Sequence, residues 1–296
     1  MTAGWPIAYV EPVFRPPSEA ESLILQLTVG CSWNRCTFCA MYRGKRYRVR
    51  SVREVVEEIR AAARRTAPRK VFLADGDALA APPNRLEEIL ETIRAELPSV
   101  GRVGIYGDSR AILRCGAEGL RRLAERGLGI VYFGAESGDD ATLRAIRKGA
   151  TAARQLEASK LVLEAGIKLS VMVLVGLGGK AGSRRHAEAT GRFLVAASPT
   201  YAAALTLTPV PSSPLYEAWK AGEFELPDRW GMLEEVRVLL TSMEGYRGLF
   251  HANHASNYLP LRLRLPRDRQ PALALLDRVL ERRDPSLLVP DSARGL

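Results

Sequence analysis

The sequence predicts an α/β protein, an incomplete (β/α)6 TIM-like barrel followed by a mainly helical C-terminal extension. Aliphatic, strand-like runs alternate with segments that are each long enough for one helix. The six runs start near Leu23, Lys70, Arg102, Ile130, Lys168 and Tyr201. Strict alternation of strand and helix implies a parallel sheet whose strands are buried on both faces. Six units are fewer than the eight of a closed barrel, so we favour an incomplete one.

The predicted helices carry terminal signals. Ser51 and Glu54 form a capping box before an apolar stripe, and Asn84 with Glu87 repeats this pattern before the next helix. Gly127 follows the predicted third helix, at a position where a left-handed cap is favoured. These signals support one helix after each of the first three strands.

The pattern changes after Thr208. Three prolines between residues 209 and 214 make a stiff loop, and helical stretches follow near 213–221 and 228–242. We therefore predict two domains, a core of residues 1–208 and a C-terminal extension of residues 209–296.

Composition excludes a disordered or fibrous protein, because 47% of the 296 residues are hydrophobic and 26% are charged. The longest apolar stretch, residues 169–177, is shorter than the roughly 20 residues that cross a bilayer. The N-terminus has Glu11 and several prolines in place of a secretory leader, so we expect a cytoplasmic protein without a membrane partner. The formal net charge of +10 decides little, since basic residues spread over a surface are usually only solvated.

Three of the four cysteines, Cys31, Cys36 and Cys39, lie within nine residues directly after the first predicted strand. In a reducing compartment this spacing favours metal binding over a disulfide. Three thiolates can hold three irons of a [4Fe–4S] cluster and leave the fourth iron open. The alternative is a zinc knuckle, which needs a fourth ligand. Cys115 lies in another loop region and is interpreted as a small hydrophobe near a helix start.

The cysteine loop resembles that of the radical S-adenosylmethionine (SAM) superfamily, whose usual spacing is Cys-x3-Cys-x2-Cys with an aromatic residue before the last cysteine. Phe38 occupies that aromatic position, and the first interval here has four intervening residues in place of three. The likeness extends over roughly residues 20–208. It is strongest to the oxygen-independent coproporphyrinogen oxidase-like and methylthiotransferase-like branches. The resemblance implies a [4Fe–4S] cluster and SAM as cofactors, with Phe38 beside them.

The resemblance also implies SAM contacts after the second and third strands. Asp75, Gly76 and Asp77 match by position the superfamily segment that contacts the amino group of SAM. Taken alone, this segment is more typical of a simple strand-ending turn. Asp108 and Ser109 follow the third strand, where relatives place polar groups near the SAM ribose or the substrate.

Further contacts are implied after the fourth and fifth strands. Glu136 stands where relatives bind the ribose hydroxyls, although a lone glutamate there is also a partner for a helix dipole. Lys148, with Arg147 as a possible substitute, falls where a basic residue meets the SAM carboxylate. Gly176 belongs to the segment that borders adenine, but Met172 replaces the aspartate usual there. The glycines at 176, 178 and 179 could also suggest a dinucleotide-binding fingerprint or a phosphate-binding loop. The sequence lacks the other residues that either motif requires.

Two polar segments are candidates for substrate contact. A basic segment follows the cysteine loop and has the chemistry to bind carboxylates or RNA phosphates, although a solvated surface is equally typical. It comprises Arg43, Lys45, Arg46, Arg48, Arg50 and Arg53. Residues 251–258 are rich in polar groups, and we interpret them as a hydrogen-bonded loop.

The resemblance as a whole implies an oxidoreductase-like enzyme. Reductive cleavage of SAM would give a 5'-deoxyadenosyl radical that abstracts hydrogen from a small-molecule substrate. An electron donor such as flavodoxin or ferredoxin would be needed. RNA modification is the second hypothesis, and a non-catalytic iron–sulfur or zinc protein is the alternative of another class. The sequence assigns no catalytic residue and no particular substrate.

Overall fold

The computed structural model of the chain describes residues 7–295. Its strands are β1 (Leu23–Gln26), β2 (Thr28–Val29), β3 (Arg48–Val49), β4 (Lys70–Ala74), β5 (Arg102–Tyr106), β6 (Leu128–Glu136), β7 (Lys168–Val175), β8 (Tyr201–Thr206), β9 (Leu249–Ala252) and β10 (Leu261–Arg264). Its α-helices are α1 (Val52–Ala63), α2 (Pro83–Glu96), α3 (Ser109–Glu125), α4 (Asp140–Ala145), α5 (Ala152–Glu164), α6 (Gly179–Ala197), α7 (Pro214–Lys220), α8 (Arg229–Thr241) and α9 (Arg269–Arg282).

The main sheet takes eight strands in the order β1-β4-β5-β6-β7-β8-β9-β10, and β2 pairs with β3 in a separate antiparallel ribbon. Six of the parallel strands, β1 and β4 to β8, are those that the sequence predicts, whereas β9, which pairs in parallel with β8, was not predicted. Five of the six start at the predicted residue, and β6 starts two residues earlier, at Leu128. This agreement confirms the alternation of strand and helix on which the fold prediction rests.

The described residues form two compact units. The first consists of residues 7–34, 41–133 and 160–169. In it β1, β4 and β5 pair in parallel with β6 beside β5, and α1 packs against α2 and α2 against α3. Val55 and Ile59 of α1, with Ile89 and Leu90 of α2, are buried and make this helix layer apolar.

The second unit consists of residues 35–40, 134–159 and 170–295. In it β7, β8 and β9 pair in parallel, and β10 joins β9 antiparallel. Alternate residues of β7 and β8 are buried, and α6 packs closely against α8, which in turn packs against α9. Thus one face of these strands is covered and the other is partly exposed.

The structure confirms some local predictions and corrects others. Ser51 caps α1 in a full capping box with Glu54. The second predicted capping box is wrong, because α2 begins at Pro83 and Asn84 already lies inside the helix; proline at a first helical position needs no N–H partner. Cys115 lies within α3 and not in a loop, just before a kink at Gly116 that divides the helix into two segments, so it is close to the start of the second segment.

In the C-terminal part, α7 and α8 confirm the two predicted helical stretches, but β9 and β10 were not predicted. His251 and Ala252 belong to β9, so the predicted polar loop is limited to the residues that follow. There Asn257 donates to the carbonyl of Ala204 at 2.9 Å and accepts from Thr206 at 2.8 Å, as a hydrogen-bonded loop requires. The boundary near residue 208 stays a prediction. No helix within residues 7–295 is both long and apolar enough to cross a bilayer.

Candidate functional site

Asp75 directly follows β4 and is fully buried. Its Oδ2 accepts hydrogen bonds from the backbone N–H of Gly30 at 3.0 Å, from Gln26 at 3.2 Å and from the ammonium of Lys45 at 3.0 Å. Its other oxygen, Oδ1, is buried with no hydrogen-bond partner among the described residues. A buried carboxylate oxygen without a partner is unfavourable, and a cationic ligand group would satisfy it.

Gly76 permits a close contact. A Cβ at this position would overlap the ring of Tyr42, which is itself buried and packs edge-on against Phe14 with a centroid distance of 5.6 Å. The aromatic ring thus takes the space that a side chain at position 76 would fill. The glycine therefore lets Tyr42 close over the backbone next to Asp75.

Asp77 is the second buried carboxylate after β4. It accepts hydrogen bonds from the hydroxyl of Ser32 and from the backbone N–H of Asp108, the latter at 3.2 Å. Burial, together with the charge of Asp108, raises the pKa of Asp77 to about 7. The carboxyl is thus poised between its neutral and charged forms near neutral pH, and a cation beside it would favour the charged form.

The start of α3 adds a charged cluster to the first unit. Asp108 caps the helix by accepting from the N–H of Ala111 at 2.9 Å, and it pairs with Arg110. The guanidinium of Arg110 lies 4.0 Å from the centre of the Trp33 ring. Ser109, the first residue of α3, is buried, and its predicted role at the ribose or substrate stays a prediction.

Tyr47 is a candidate that the sequence reasoning missed. It lies just before β3 and is half-buried, and its hydroxyl has no hydrogen-bond partner among residues 7–295. Burial and the charge of Asp77 raise its pKa to about 12, so the hydroxyl stays protonated and is available as a donor. The only sequence signal was an aromatic residue among basic ones.

The two least exposed members of the basic segment, Lys45 and Arg50, bind other parts of the protein. Lys45 donates to the carbonyls of Val10 and Pro12, at 2.6 and 2.5 Å, as well as to Asp75. Arg50 is buried and makes two hydrogen bonds to Glu58, at 2.9 and 2.7 Å. Neither cation is available to a phosphate, which corrects part of the prediction for this segment. Its exposed members are Arg43, Arg46, Arg48 and Arg53, of which Arg53 pairs with Glu57 on the surface.

Phe38 and the residue before it are held within the second unit. The N–H of Thr37 donates to the carbonyl of Ile146 at 2.9 Å, and its carbonyl accepts from the N–H of Leu215 at 2.9 Å. Phe38 packs against a buried apolar cluster that includes Ile146, Leu177 and Leu215. The aromatic residue before the last cysteine therefore anchors the backbone that carries Cys36 and Cys39.

Glu136 ends β6 and pairs with Lys148, the Nζ lying 3.2 Å from Oε1. Both side chains are largely buried, and the backbone of Glu136 is left-handed, with a φ of 67°. A non-glycine residue at this φ is uncommon and often marks a functional site. The sequence assigned these two residues to different parts of SAM, and the structure brings them together.

A buried histidine holds the turn that follows Glu136. The Nε2–H of His186 donates to the carbonyl of Leu174 at 3.0 Å, so Nδ1 is the acceptor for the hydroxyl of Ser137 at 2.7 Å. Burial lowers the pKa of His186 to about 4, which keeps the ring neutral. Thr190, one turn further along α6, accepts from the N–H of Gly138 at 3.0 Å. The sequence gave no signal for this network.

Gly176, at the end of β7, has a φ of 89° and donates its N–H to Glu235 at 2.6 Å. The hydroxyl of Ser183 donates to the other oxygen of Glu235. Burial raises the pKa of Glu235 to about 7. His186 lies 3.5 Å from Glu235. Because the pKa of His186 is about 4 and that of Glu235 about 7, both are largely neutral between these pH values, and at no pH are both largely charged, so they do not form an ion pair. The loop after β7 is therefore fixed by a polar group of α8.

A cavity of about 390 Å³ lies beside Glu235 in the second unit. Three charged residues of its lining form ion pairs, Lys180 with Glu225, Arg184 with Glu188, and Glu234 with Arg237. A fourth, Asp228, caps α8 by accepting from the N–H of Gly231 at 2.7 Å. The cavity thus offers little uncompensated charge to a ligand.

The chemistry of Cys31, Cys36 and Cys39 fits an iron–sulfur cluster. All three are half-buried thiols outside any disulfide. Within residues 7–295, no three His, Cys, Asp or Glu side chains are grouped around one point that a metal ion could occupy. A cubane takes each thiolate on a different iron, so its ligands need not meet at one point.

Residues 25–186, more than half of the chain, match the family model described as the radical SAM superfamily. A putative methylthiotransferase of Methanocaldococcus jannaschii is 29% identical over 150 residues, which cover 49% of this chain and 33% of that protein. An uncharacterized methyltransferase of Pyrococcus horikoshii is 26% identical over 214 residues, 70% of this chain and 44% of that protein. The chain thus spans less than half the length of these curated relatives.

Two solved structures share the fold. Coproporphyrinogen III oxidase from Escherichia coli, a radical SAM enzyme, has a TM-score of 0.56 at 13% identity and covers 75% of this chain and 52% of that one. Methylornithine synthase has a TM-score of 0.54 at 17% identity, and the match covers 77% of this chain and 63% of that one. The mostly parallel sheet with its helices is therefore the partial TIM-like barrel of this superfamily, which confirms the predicted fold class.

We predict that Glu235→Gln removes a pH dependence of stability. In the folded protein the pKa of Glu235 is raised from 4.5 to about 7. The stabilisation that this shift adds to the free energy of unfolding is therefore fully present below about pH 4.5 and is lost as the pH rises through 7. The unfolding free energy of the variant, relative to the unmodified protein, should rise by roughly 3 kcal/mol between about pH 4 and pH 8. Urea unfolding at several pH values measures this difference.

The matched control is Glu234→Gln, since Glu234 is the adjacent residue but is partly exposed and paired with Arg237. The difference in unfolding free energy between Glu234→Gln and the unmodified protein should vary by less than about 1 kcal/mol over the same pH range. A difference for Glu235→Gln that does not change with pH would contradict the assigned state of this carboxyl.

Proposed function

The chain belongs to the radical SAM superfamily, and on this premise we propose that it is an enzyme in which Cys31, Cys36 and Cys39 ligate a [4Fe–4S] cluster. The cofactors of the superfamily are this cluster and SAM. The observation that carries the proposal is a loop of three half-buried thiols outside any disulfide, after the first strand of a chain that matches the family model. When bound and reduced, these cofactors supply a 5'-deoxyadenosyl radical, and we propose that it abstracts hydrogen from a small-molecule substrate.

The carboxylates after β4 are proposed to bind the amino group of SAM. Support comes from the unpartnered, buried Oδ1 of Asp75, which an ammonium would satisfy. Asp77 adds a second carboxyl whose pKa near 7 falls when a cation lies beside it. The hydroxyl of Tyr47 is a further donor in the same unit, suited to a ligand oxygen.

Glu136 is proposed to accept hydrogen bonds from the ribose hydroxyls, and Lys148 to orient it or to meet the SAM carboxylate. Support comes from their 3.2 Å ion pair and from the left-handed backbone of Glu136, which directs the carboxylate from a strand end. The hydrogen bond from the Ser137 hydroxyl to the neutral His186 ring fixes the backbone next to Glu136. This rigidity lowers the conformational entropy that is lost when a ligand binds.

A small molecule is the favoured substrate class, and RNA is the second candidate. The preference is supported by Lys45 and Arg50, which are occupied by Asp75 and Glu58 and leave the basic segment fewer cations for phosphates. The exposed Arg43, Arg46 and Arg48 keep the RNA hypothesis open to test. In either case the enzyme requires a one-electron donor such as flavodoxin or ferredoxin.

Replacing any one cysteine of the loop is expected to abolish the cluster. In Cys31→Ala, Cys36→Ala and Cys39→Ala one iron loses its only protein ligand, so iron and sulfide should fall from about four each per chain to background after anaerobic reconstitution. Metal and sulfide analysis with visible absorbance measures this loss, and far-UV circular dichroism reports whether the fold is retained.

Cys115→Ala is the control for the cysteine series. This thiol lies inside α3, and burial raises its pKa, so it is a poor ligand and its loss should leave the cluster intact. Full cluster content in Cys36→Ala would refute the proposed ligand set. One zinc per chain in the protein as purified, with no cluster on reconstitution, would support the zinc alternative.

For SAM, Glu136→Ala should weaken binding by about 10- to 150-fold without loss of iron, since a charge-assisted hydrogen bond contributes roughly 1.5 to 3 kcal/mol. Calorimetry on reconstituted, oxidised protein measures the affinity. Glu157→Gln, which alters an exposed glutamate on α5, should bind SAM normally. Unchanged affinity in Glu136→Ala would show that the family motifs have been assigned to the wrong loop.

A further inference from the structure

One face of the strands β7 to β10 is partly exposed in the part of the chain that the structure describes. Along β7 and β8 the residues of one face are buried, whereas those of the other face are partly exposed. In β10 the contrast is sharper, because Leu261 and Leu263 are buried while Arg262 and Arg264 are exposed. The partly exposed side chains therefore form a continuous surface, which we call the open face of the second unit.

Strand register aligns four residues of the open face in one row. Met172 pairs with Ala203, Ala203 with His251, and His251 with Arg262. Directly paired residues on neighbouring strands point to the same side of a sheet. Arg262 and His251 are thus neighbours, and the small side chain of Ala203 leaves room on their other side.

The charged side chains of this face are all basic. None of the four strands contains an aspartate or a glutamate. Arg262 makes no ion pair with an acidic residue anywhere in residues 7–295, in contrast to most of the charged residues around the cavity beside Glu235. Its neighbour Arg264 lies near Asp268, which accepts from the backbone N–H of Arg264 at 2.8 Å. Lys168 of β7 and Arg264 also place positive charge on this face, and Arg262 is the cation that lies in the row directly beside His251.

His251 complements this charge. Burial, with a contribution from the positive charge of Arg262, lowers the pKa of His251, so the ring is neutral at physiological pH and offers a donor without repelling the guanidinium. Tyr201 lies next to it, with a ring-centroid distance of 6.4 Å, and adds an aromatic wall. A guanidinium beside a neutral imidazole and an aromatic ring is a suitable receptor for a small anion.

We propose that the open face binds an anionic group of the substrate, a carboxylate or a phosphate, through Arg262 with His251 as the neighbouring donor. The proposal rests on the proposed function, which requires a small-molecule substrate, and it adds that this substrate carries an anionic group. Arg262 is the specificity-determining residue, because it supplies the charge that selects an anion. Ala203 and Met172 provide the less polar surface on which the remainder of such a molecule would lie.

The test uses nuclear magnetic resonance of the histidine side chains in the anaerobically reconstituted full chain. The chain has only three histidines, so the His251 signal can be assigned from a His251→Gln sample. Inorganic phosphate and succinate are titrated separately, with ionic strength held constant by chloride. We expect a saturable shift of His251 and a raised His251 pKa, since a bound anion favours the protonated ring. The probe that binds more tightly distinguishes phosphate from carboxylate.

Arg262→Gln should weaken binding of the preferred probe by about tenfold or more, and Arg262→Lys, which keeps the charge, should weaken it less. Arg278→Gln, an exposed arginine on α9, is the matched control and should bind as the unmodified protein does. A His251 signal that does not respond to either probe, or a response unchanged in Arg262→Gln, would overturn the proposal. Neither result depends on SAM cleavage, so failure here is distinguishable from failure of the proposed function.

Discussion

The buried carboxylate of Asp75 is the constraint on which the first unit depends. A carboxylate without exposure to water is strongly unfavourable unless charges and donors surround it. Gly30, Gln26 and Lys45 supply these partners to one oxygen, and so tie the backbone that leads into Cys31 to the end of β4. Lys45 in turn joins the N-terminal carbonyls of Val10 and Pro12 to the same point. This arrangement explains why a lysine in a basic segment is not a surface cation.

The second unit positions its loops by a different means, through neutral hydrogen bonds. His186 and Glu235 are buried, and burial favours the uncharged form of each, lowering the pKa of the histidine and raising that of the carboxyl. They fix the backbone after β6 through Ser137 and after β7 through Gly176. Because both bonds originate from helices, loops at the ends of parallel strands gain the rigidity that ligand binding benefits from.

The sequence predicts features that depend on local pattern and does not predict those that depend on distant partners. The parallel strands and the Ser51 cap follow from short-range signals, whereas Asn84 misled because two prolines precede it and allow an earlier helix start. The strands β9 and β10 have four residues each, too short for a clear periodicity. Among the site residues, the pairing of Arg50 with Glu58, of Ser137 with His186 and of Gly176 with Glu235 arises only on folding, since the latter two pairs are separated by 49 and 59 residues. The strand-end positions of Asp75, Asp77 and Glu136 were predicted because each residue lies at or within a few residues of the end of a strand that the sequence pattern identifies.

The most direct test of the central claim is the formation of 5'-deoxyadenosine. Protein reconstituted anaerobically with iron and sulfide is reduced with dithionite in the presence of SAM, and the products are separated by liquid chromatography with mass detection. The account predicts 5'-deoxyadenosine and methionine in amounts that depend on protein, reductant and SAM together, and none above the blank when Cys36 is alanine. Full cluster content and measurable SAM binding without any 5'-deoxyadenosine would contradict it.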